Sequence, residues 1–198
     1  PSDLFKLNTL VTTFAGAFGY TSLTTVPTDT FRYNTAVTEF GQTFISAGLT
    51  TIPTDLFRYC TAAEDFFWTF YGCSLTAIPV DTFRYNTSAD SFYGTFHSNN
   101  FSSLPADLFR YNTTCVSWTD CFRGCTSLTT ITANLFDYAT PEFLKNCFEG
   151  CTALTTSNAS TWDISGISTT QLDGVFEGAT LDTTDYDAVL VGWEGSTH

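Results

Sequence analysis

Seven cysteines, two histidines and a long series of carboxylates are the residues of this 198-residue chain whose chemistry has to be considered first. Cys60, Cys73, Cys115, Cys121, Cys125, Cys147 and Cys151 include two Cys-x3-Cys pairs, 121/125 and 147/151, a spacing that four-sulfur zinc sites also use. Both pairs fall at one recurring position, however, and no independent metal signal accompanies them, so no metal and no cofactor is expected. His97 stands far from His198 in sequence, and no Ser/His/Asp or Cys/His arrangement can be assembled around either. The reading is therefore non-enzymatic, with a glycan-acting enzyme built on a carboxylate pair as its last alternative.

The cysteine spacing leads back to the elements that carry it. Cys121 and Cys147 are 26 residues apart, as are Cys125 and Cys151, and so are most marks along the chain. Leu23, Leu49, Leu75, Phe101, Leu128 and Leu154 follow at offsets of 26, 26, 26, 27 and 26, while Phe14, Phe40, Phe66, Phe92, Trp118 and Leu144 are spaced by 26 throughout. A period of this length marks a solenoid, in which each unit buries its apolar side only against its neighbours.

One unit holds two apolar groups. Leu49-Thr-Thr-Ile52-Pro53 and its copies suit one short parallel strand closed by proline. The pairs Phe14/Phe18, Phe40/Phe44, Phe66/Phe70 and their successors stand at i,i+4, which predicts a short helix with an aromatic inner face. The fold class expected is an α/β solenoid, a right-handed array with one short parallel strand and short helices per 26-residue turn. It forms a single domain over 1–198. Residues 1–22 are an incomplete N-terminal repeat, 23–153 the regular repeats, and 154–198 a divergent repeat with a helical cap whose face is Tyr186, Val189, Leu190 and Trp193.

On such a stack, residues one period apart lie roughly 5 Å apart at Cα, within disulfide reach. Bridges Cys121–Cys147 and Cys125–Cys151, with Cys60–Cys73 a further candidate, stand against a buried column of free thiols acting as small hydrophobes. At least one cysteine lacks an intrachain partner. Sequons at Asn86, Asn100, Asn112 and Asn158 permit N-glycosylation in a secretory compartment. Tyr33, Tyr59, Tyr85 and Tyr111, each following an arginine, form either a binding ladder or a stack that holds the turns together.

Composition narrows the partners. A net charge of −13, with seven basic residues against 20 acidic ones, argues against nucleic acid and anionic membranes. No apolar run of eighteen residues is present, so no membrane insertion is expected. Pro1 aligns with Pro53, in mid-repeat, which predicts an open N-terminal apolar layer of Phe5, Phe14 and Phe18. Phe176 and Trp193 form the opposite end, and the two ends suit end-to-end assembly into filaments.

The strings Leu49-Thr-Thr-Ile-Pro, Gly124-Cys-Thr-Ser-Leu128 and Gly150-Cys-Thr-Ala-Leu154 resemble the BspA-type leucine-rich-repeat family of bacterial surface proteins, and the tail Tyr186-Asp-Ala-Val-Leu-Val-Gly-Trp193 is similar to the related surface-protein repeats of mycoplasmas and other bacteria. The resemblance covers nearly the whole chain, and the Phe-Arg-Tyr-Asn string and the threonine excess depart from it. It implies an extracellular or cell-surface protein that is structural or adhesive, with protein or glycan surfaces or its own copies as partners. It carries over no binding residue. The alternative is an ice- or crystal-surface-binding protein, because Thr24/Thr25, Thr50/Thr51, Thr76, Ser102/Ser103, Thr129/Thr130 and Thr155/Thr156 recur at the strand.

Overall fold

The computed structural model describes residues 3–194; Pro1, Ser2 and 195–198, with His198 among them, lie outside the described residues. The 26-residue period becomes a stack of turns in parallel register. Thr13, Glu39, Asp65, Ser91, Ser117 and Phe143 form one column of single-residue bridges, immediately before each aromatic pair. A second bridge column, Ser103, Thr130 and Thr156, lies at the expected Leu-x-x-Ile strand. Elsewhere that segment is joined by individual bonds, such as the Thr76 N–H to the Thr50 carbonyl at 3.2 Å. The bridged column that runs through most of the stack is therefore not the strand expected from the Leu-x-x-Ile-Pro motif.

No helix is found at the aromatic pairs among the described residues. Each pair sits in two linked tight turns, with the Ala17 N–H bonded to the Phe14 carbonyl and the Gly19 N–H to that of Gly16. The alternate amides leave the turn: Phe14, Gly16, Phe18 and Tyr20 donate to Glu39, Gly41, Thr43 and Ile45 in the next turn at 2.7–3.0 Å. The physical reason is backbone handedness. Positions 16 and 20, 42 and 46, 68 and 72, and their successors all have positive φ, which an α-helix forbids. The four-residue spacing is thus a product of paired turns, and it brings both rings inward just as a helix would.

Three aromatic columns fill the interior. The Phe18, Phe44, Phe70, Phe96, Phe122, Phe148 and Phe176 rings follow one another at 5.3–5.8 Å, nearly parallel. A second runs from Phe14 to Trp118, and a third from Phe5 through Phe31, Phe57, Phe83, Phe109 and Phe136. The third column interleaves with the second, as where Phe66 meets Phe83 edge-on at 4.8 Å.

The predicted C-terminal helix exists as α1, Thr183–Glu194. Asp182 caps it, its carboxylate accepting the Asp185 N–H at 2.8 Å, and Asp185 in turn accepts from the Ser157 N–H and hydroxyl at 2.9 and 2.6 Å. Its buried face differs from the expected one. Val189 is buried and Trp193 half-buried, but Tyr186 and Leu190 are exposed. Gly192 lies on the packed face with Val189 and Trp193: a Cβ there would lie 2.3 Å from the Ser160 carbonyl oxygen, so the helix backbone approaches the chain closely at that point.

Candidate functional site

Alternating inter-turn amides leave carbonyls that need additional donors, and the buried polar residues supply them. Asn34, Asn86 and Asn112 each donate Nδ2 to two carbonyls of the preceding turn, at 2.8 and 3.3 Å. Cys60 occupies the same column and directs its thiol at the Asn34 carbonyl, 3.4 Å away. Thr43, Thr69 and Thr95 bond the carbonyls of Phe14, Phe40 and Phe66, and Cys121 and Cys147 continue their column. Cys73, Asn99, Cys125 and Cys151 form a third column, on the carbonyls of Phe44, Phe70, Phe96 and Phe122.

This explains the cysteines. Cys121 adjoins Cys147 and Cys125 adjoins Cys151, as their spacing requires, yet all seven are free, buried thiols, and Cys60 and Cys73 stand in different columns. Neither pair is bridged in this structure; Cys125 and Cys151 direct their sulfurs at the Phe96 and Phe122 carbonyls, 3.3 and 3.2 Å away. Burial pushes the thiols of Cys60, Cys73, Cys115 and Cys151 up to about 12 and those of Cys121, Cys125 and Cys147 well above the ordinary value. Nucleophilic or metal-ligating thiolate is thereby disfavoured.

The sequons separate in the same way. Asn86 and Asn112 are fully buried with their amides committed to backbone, so the folded chain withholds both from a glycosyltransferase. Asn158 has its Nδ2 on the Ile131 carbonyl at 2.6 Å, although its residue surface is exposed. Asn100 is exposed.

Outside the core, the tyrosines form a column with the arginines between them. Arg32 lies over Tyr33 and Tyr59 at 5.8 Å each, Arg58 over Tyr59 and Tyr85 at 5.7 and 5.4 Å, Arg84 over Tyr85 and Tyr111 at 5.7 and 5.5 Å, and Arg110 over Tyr111 and Tyr138 at 5.9 and 5.4 Å. Lys6 begins it at 5.8 Å from Tyr33. Five of the seven basic residues are gathered here, with arginine side chains about half exposed and carboxylates of Asp55, Asp81 and Asp107 only 3.7–4.0 Å away. Each cation–π contact at such exposure is worth about 0.5–1 kcal/mol, so the column is both a seam between turns and a row of forked donors facing solvent. Tyr138, which sequence reasoning left out, extends it; its Phe136-Asp-Tyr138 echo of Phe-Arg-Tyr is the signal that marks it.

Most strand threonine pairs face solvent with both residues. Thr24 and Thr25, Thr50 and Thr51, Ser102 and Ser103, and Thr129 and Thr130 are all exposed, while Thr156 beside exposed Thr155 is half-buried. The expected assembly ends are largely packed. Phe14 is buried, and Phe5 and Phe18 are half-buried against it and against Phe31 and Phe44. Phe176 and Trp193 pack on Trp162, and the Trp193 Nε1 donates to the Ala159 carbonyl at 2.9 Å. Leu4, Leu7 and Leu10 remain exposed.

An acidic hollow of about 380 Å³ lies on another flank, lined by Glu39, Glu64, Asp65, Asp90 and Phe67. Burial holds the Asp65 carboxyl above the ordinary carboxylate range; the Phe67 N–H at 2.7 Å offsets this only in part, and the Asp90 and Glu39 carboxylates add to it. The buried carboxylate Asp120 is ion-paired to Arg123 at 3.4 Å, and Arg123 reaches Glu149 at 2.7 Å. Sequence reasoning, which assigned the aromatics to the core, missed the half-buried rings outside it: Phe67, Trp68, Tyr71 and Tyr93. The signal was available, since they fall between the 26-residue marks.

No protein-family model matches the sequence, and no curated protein matches it either. Among solved structures the chain is similar to the leucine-rich-repeat domain of APL1B, at 11% identity over 89% of this chain and 59% of that one, TM-score 0.42. It is also similar to an internalin of Listeria monocytogenes, at 10% identity over 74% and 40%, TM-score 0.39, and to a leucine-rich-repeat protein of Leptospira interrogans, at 7% identity over 89% and 69%, TM-score 0.40. The chain spans less than two thirds of the first two.

Proposed function

We propose that this chain is a non-enzymatic scaffold of the BspA-type leucine-rich-repeat kind, held outside the cell or at its surface, where it binds protein or glycan surfaces in an adhesive or structural role. The observation that carries this is the Lys6 to Tyr138 column, in which one exposed donor group recurs turn after turn. Equivalent groups at fixed spacing favour simultaneous weak contacts whose strengths combine, as multivalent attachment requires. A single reaction centre needs no such repetition.

The test is adhesion of beads carrying the full chain to immobilised extracellular glycoproteins, read against the number of intact arginines. Single Arg32→Gln, Arg58→Gln, Arg84→Gln and Arg110→Gln variants are expected to weaken attachment stepwise, and the quadruple variant to lose most of it while its circular dichroism at the assay temperature remains that of the folded parent. Undiminished adhesion by the folded quadruple variant would overturn the reading. End-to-end association belongs to the same proposal, supported by the apolar hollow of about 280 Å³ between Leu4, Phe18, Leu23 and Val26. Light scattering across a hundredfold concentration range tests it, and a strict monomer excludes it.

A second reading, ice or crystal-surface binding, is favoured by the exposure of both members of most threonine pairs. Thermal hysteresis decides it. Zero activity at millimolar protein removes it.

A further inference from the structure

The regular copying of this chain makes departures informative. At the position of Phe67 the other turns carry Ala15, Gly41, Thr119 and Lys145, with one further ring, Tyr93, directly above. At that of Trp68 they carry Gly16, Gln42, Gly94, Asp120 and Asn146, and at that of Tyr71, Gly19, Ile45, His97, Arg123 and Glu149. At these three positions rings therefore occur only on two successive turns, and the other turns mostly carry small or polar residues there.

They gather into one connected group. Phe67 lies 4.7 Å from Trp68 and 5.2 Å from Tyr93, Trp68 is 5.1 Å from Tyr71, and Tyr71 is 4.6 Å from His97. All five side chains are half-buried, so each still offers part of its surface to solvent. Trp68 holds φ at +50°, in the left-handed region that bulky residues avoid, and its indole lies on Gly94 so closely that a Cβ there would stand 2.2 Å away. Its Nε1 is shielded and has no hydrogen-bond partner. The fold thus places a strained ring with an unmet donor where the adjacent turns carry Gln42 and Gly94.

The surroundings select the ligand. On one side stand the carboxylates of Asp65, Asp90 and Glu39, and on the other the Asp120–Arg123–Glu149 chain. We infer that this ring group is a binding platform for a neutral oligosaccharide, whose pyranose C–H faces lie on the rings while its hydroxyls donate to the flanking carboxylates. Asp65, Asp90 and Glu39 lack basic partners among the described residues' ion pairs, so a protein surface without basic groups would have to desolvate them uncompensated, whereas hydroxyl donors satisfy them. An anionic polymer would meet like charge. This site is separate from the arginine–tyrosine column and stands or falls without it.

The experiment uses the fold's own replacements. The full chain is titrated with β-1,4-glucohexaose, chitohexaose and mannohexaose, and with hexalysine as the cationic control, following tryptophan fluorescence and titration heat. At least one hexasaccharide is expected to bind, with tenfold or greater loss in Phe67→Ala and Trp68→Gly, residues that other turns already carry at these positions. Melting temperature is expected to hold in both variants. Thr126→Ala, at an exposed residue outside both sites, should leave hexasaccharide affinity unchanged. The inference is overturned if no hexasaccharide binds at millimolar concentration, if the folded variants bind as well as the parent, or if hexalysine alone binds.

Discussion

Asn86 shows how much one side chain does in this stack: its amide adds a second donor to the carbonyls of both Phe57 and Cys60, which already accept the Cys60 and Ala63 N–H groups within their own turn. Asn86→Ala removes two buried inter-turn hydrogen bonds, and a loss of about 1–3 kcal/mol is expected in denaturant unfolding. Cys60 does the same task with a weaker donor, so Cys60→Asn, restoring the residue of the turns on either side, should raise stability by about 1 kcal/mol, and a drop would show that the column lacks room for an amide there. Asp65 carries a pH signature. Its proton is held more tightly in the folded chain than in the unfolded one, so the stability it contributes is complete below the unfolded carboxylate value and is lost as pH rises through the raised folded value. Asp65→Asn removes that loss: its melting temperature should exceed the parent's near neutrality, and the gap should close as pH falls through the carboxylate range.

At the scale of one turn, the aromatic pair is the stabilising unit. Phe70 is fully buried between Phe44 and Phe96, at 5.5 and 5.8 Å, and also meets Phe57. Phe70→Ala is expected to cost about 3–5 kcal/mol through lost burial and the cavity left in a column that cannot collapse; a measured loss under 1 kcal/mol would contradict the inward assignment. The terminal helix acts more locally. Trp193→Ala removes the contacts with Trp162 and Phe176 and the bond to Ala159, and in an array of nearest-neighbour units its effect should stay near the end. Hydrogen exchange should therefore quicken around 148–179 and remain unchanged around 40–96, whereas uniform quickening would mean that the stack unfolds as one unit.

Across the whole molecule, the period, the net charge and the inward aromatic columns follow from sequence alone. A 26-residue repeat of paired rings cannot bury itself singly, so stacking is forced whatever the backbone between the rings does. What the stack's handedness and hydrogen bonds decided is everything that depends on φ. Helix and paired turns both bring residues four apart to one side, and only the left-handed residues at 16/20 and their copies distinguish them, several being Gln42, Trp68 or Asp120 rather than glycine. The same ambiguity hid the roles of cysteine and asparagine. Spacing placed Cys121 beside Cys147 and left Asn86 looking like an acceptor for sugar, but whether a small polar residue is a bridge, a modification site or a buried donor depends on which carbonyls of the neighbouring turn it meets. That is set by tertiary contact, because each donor and its carbonyl lie 26 or 29 residues apart and meet only once the turns are stacked.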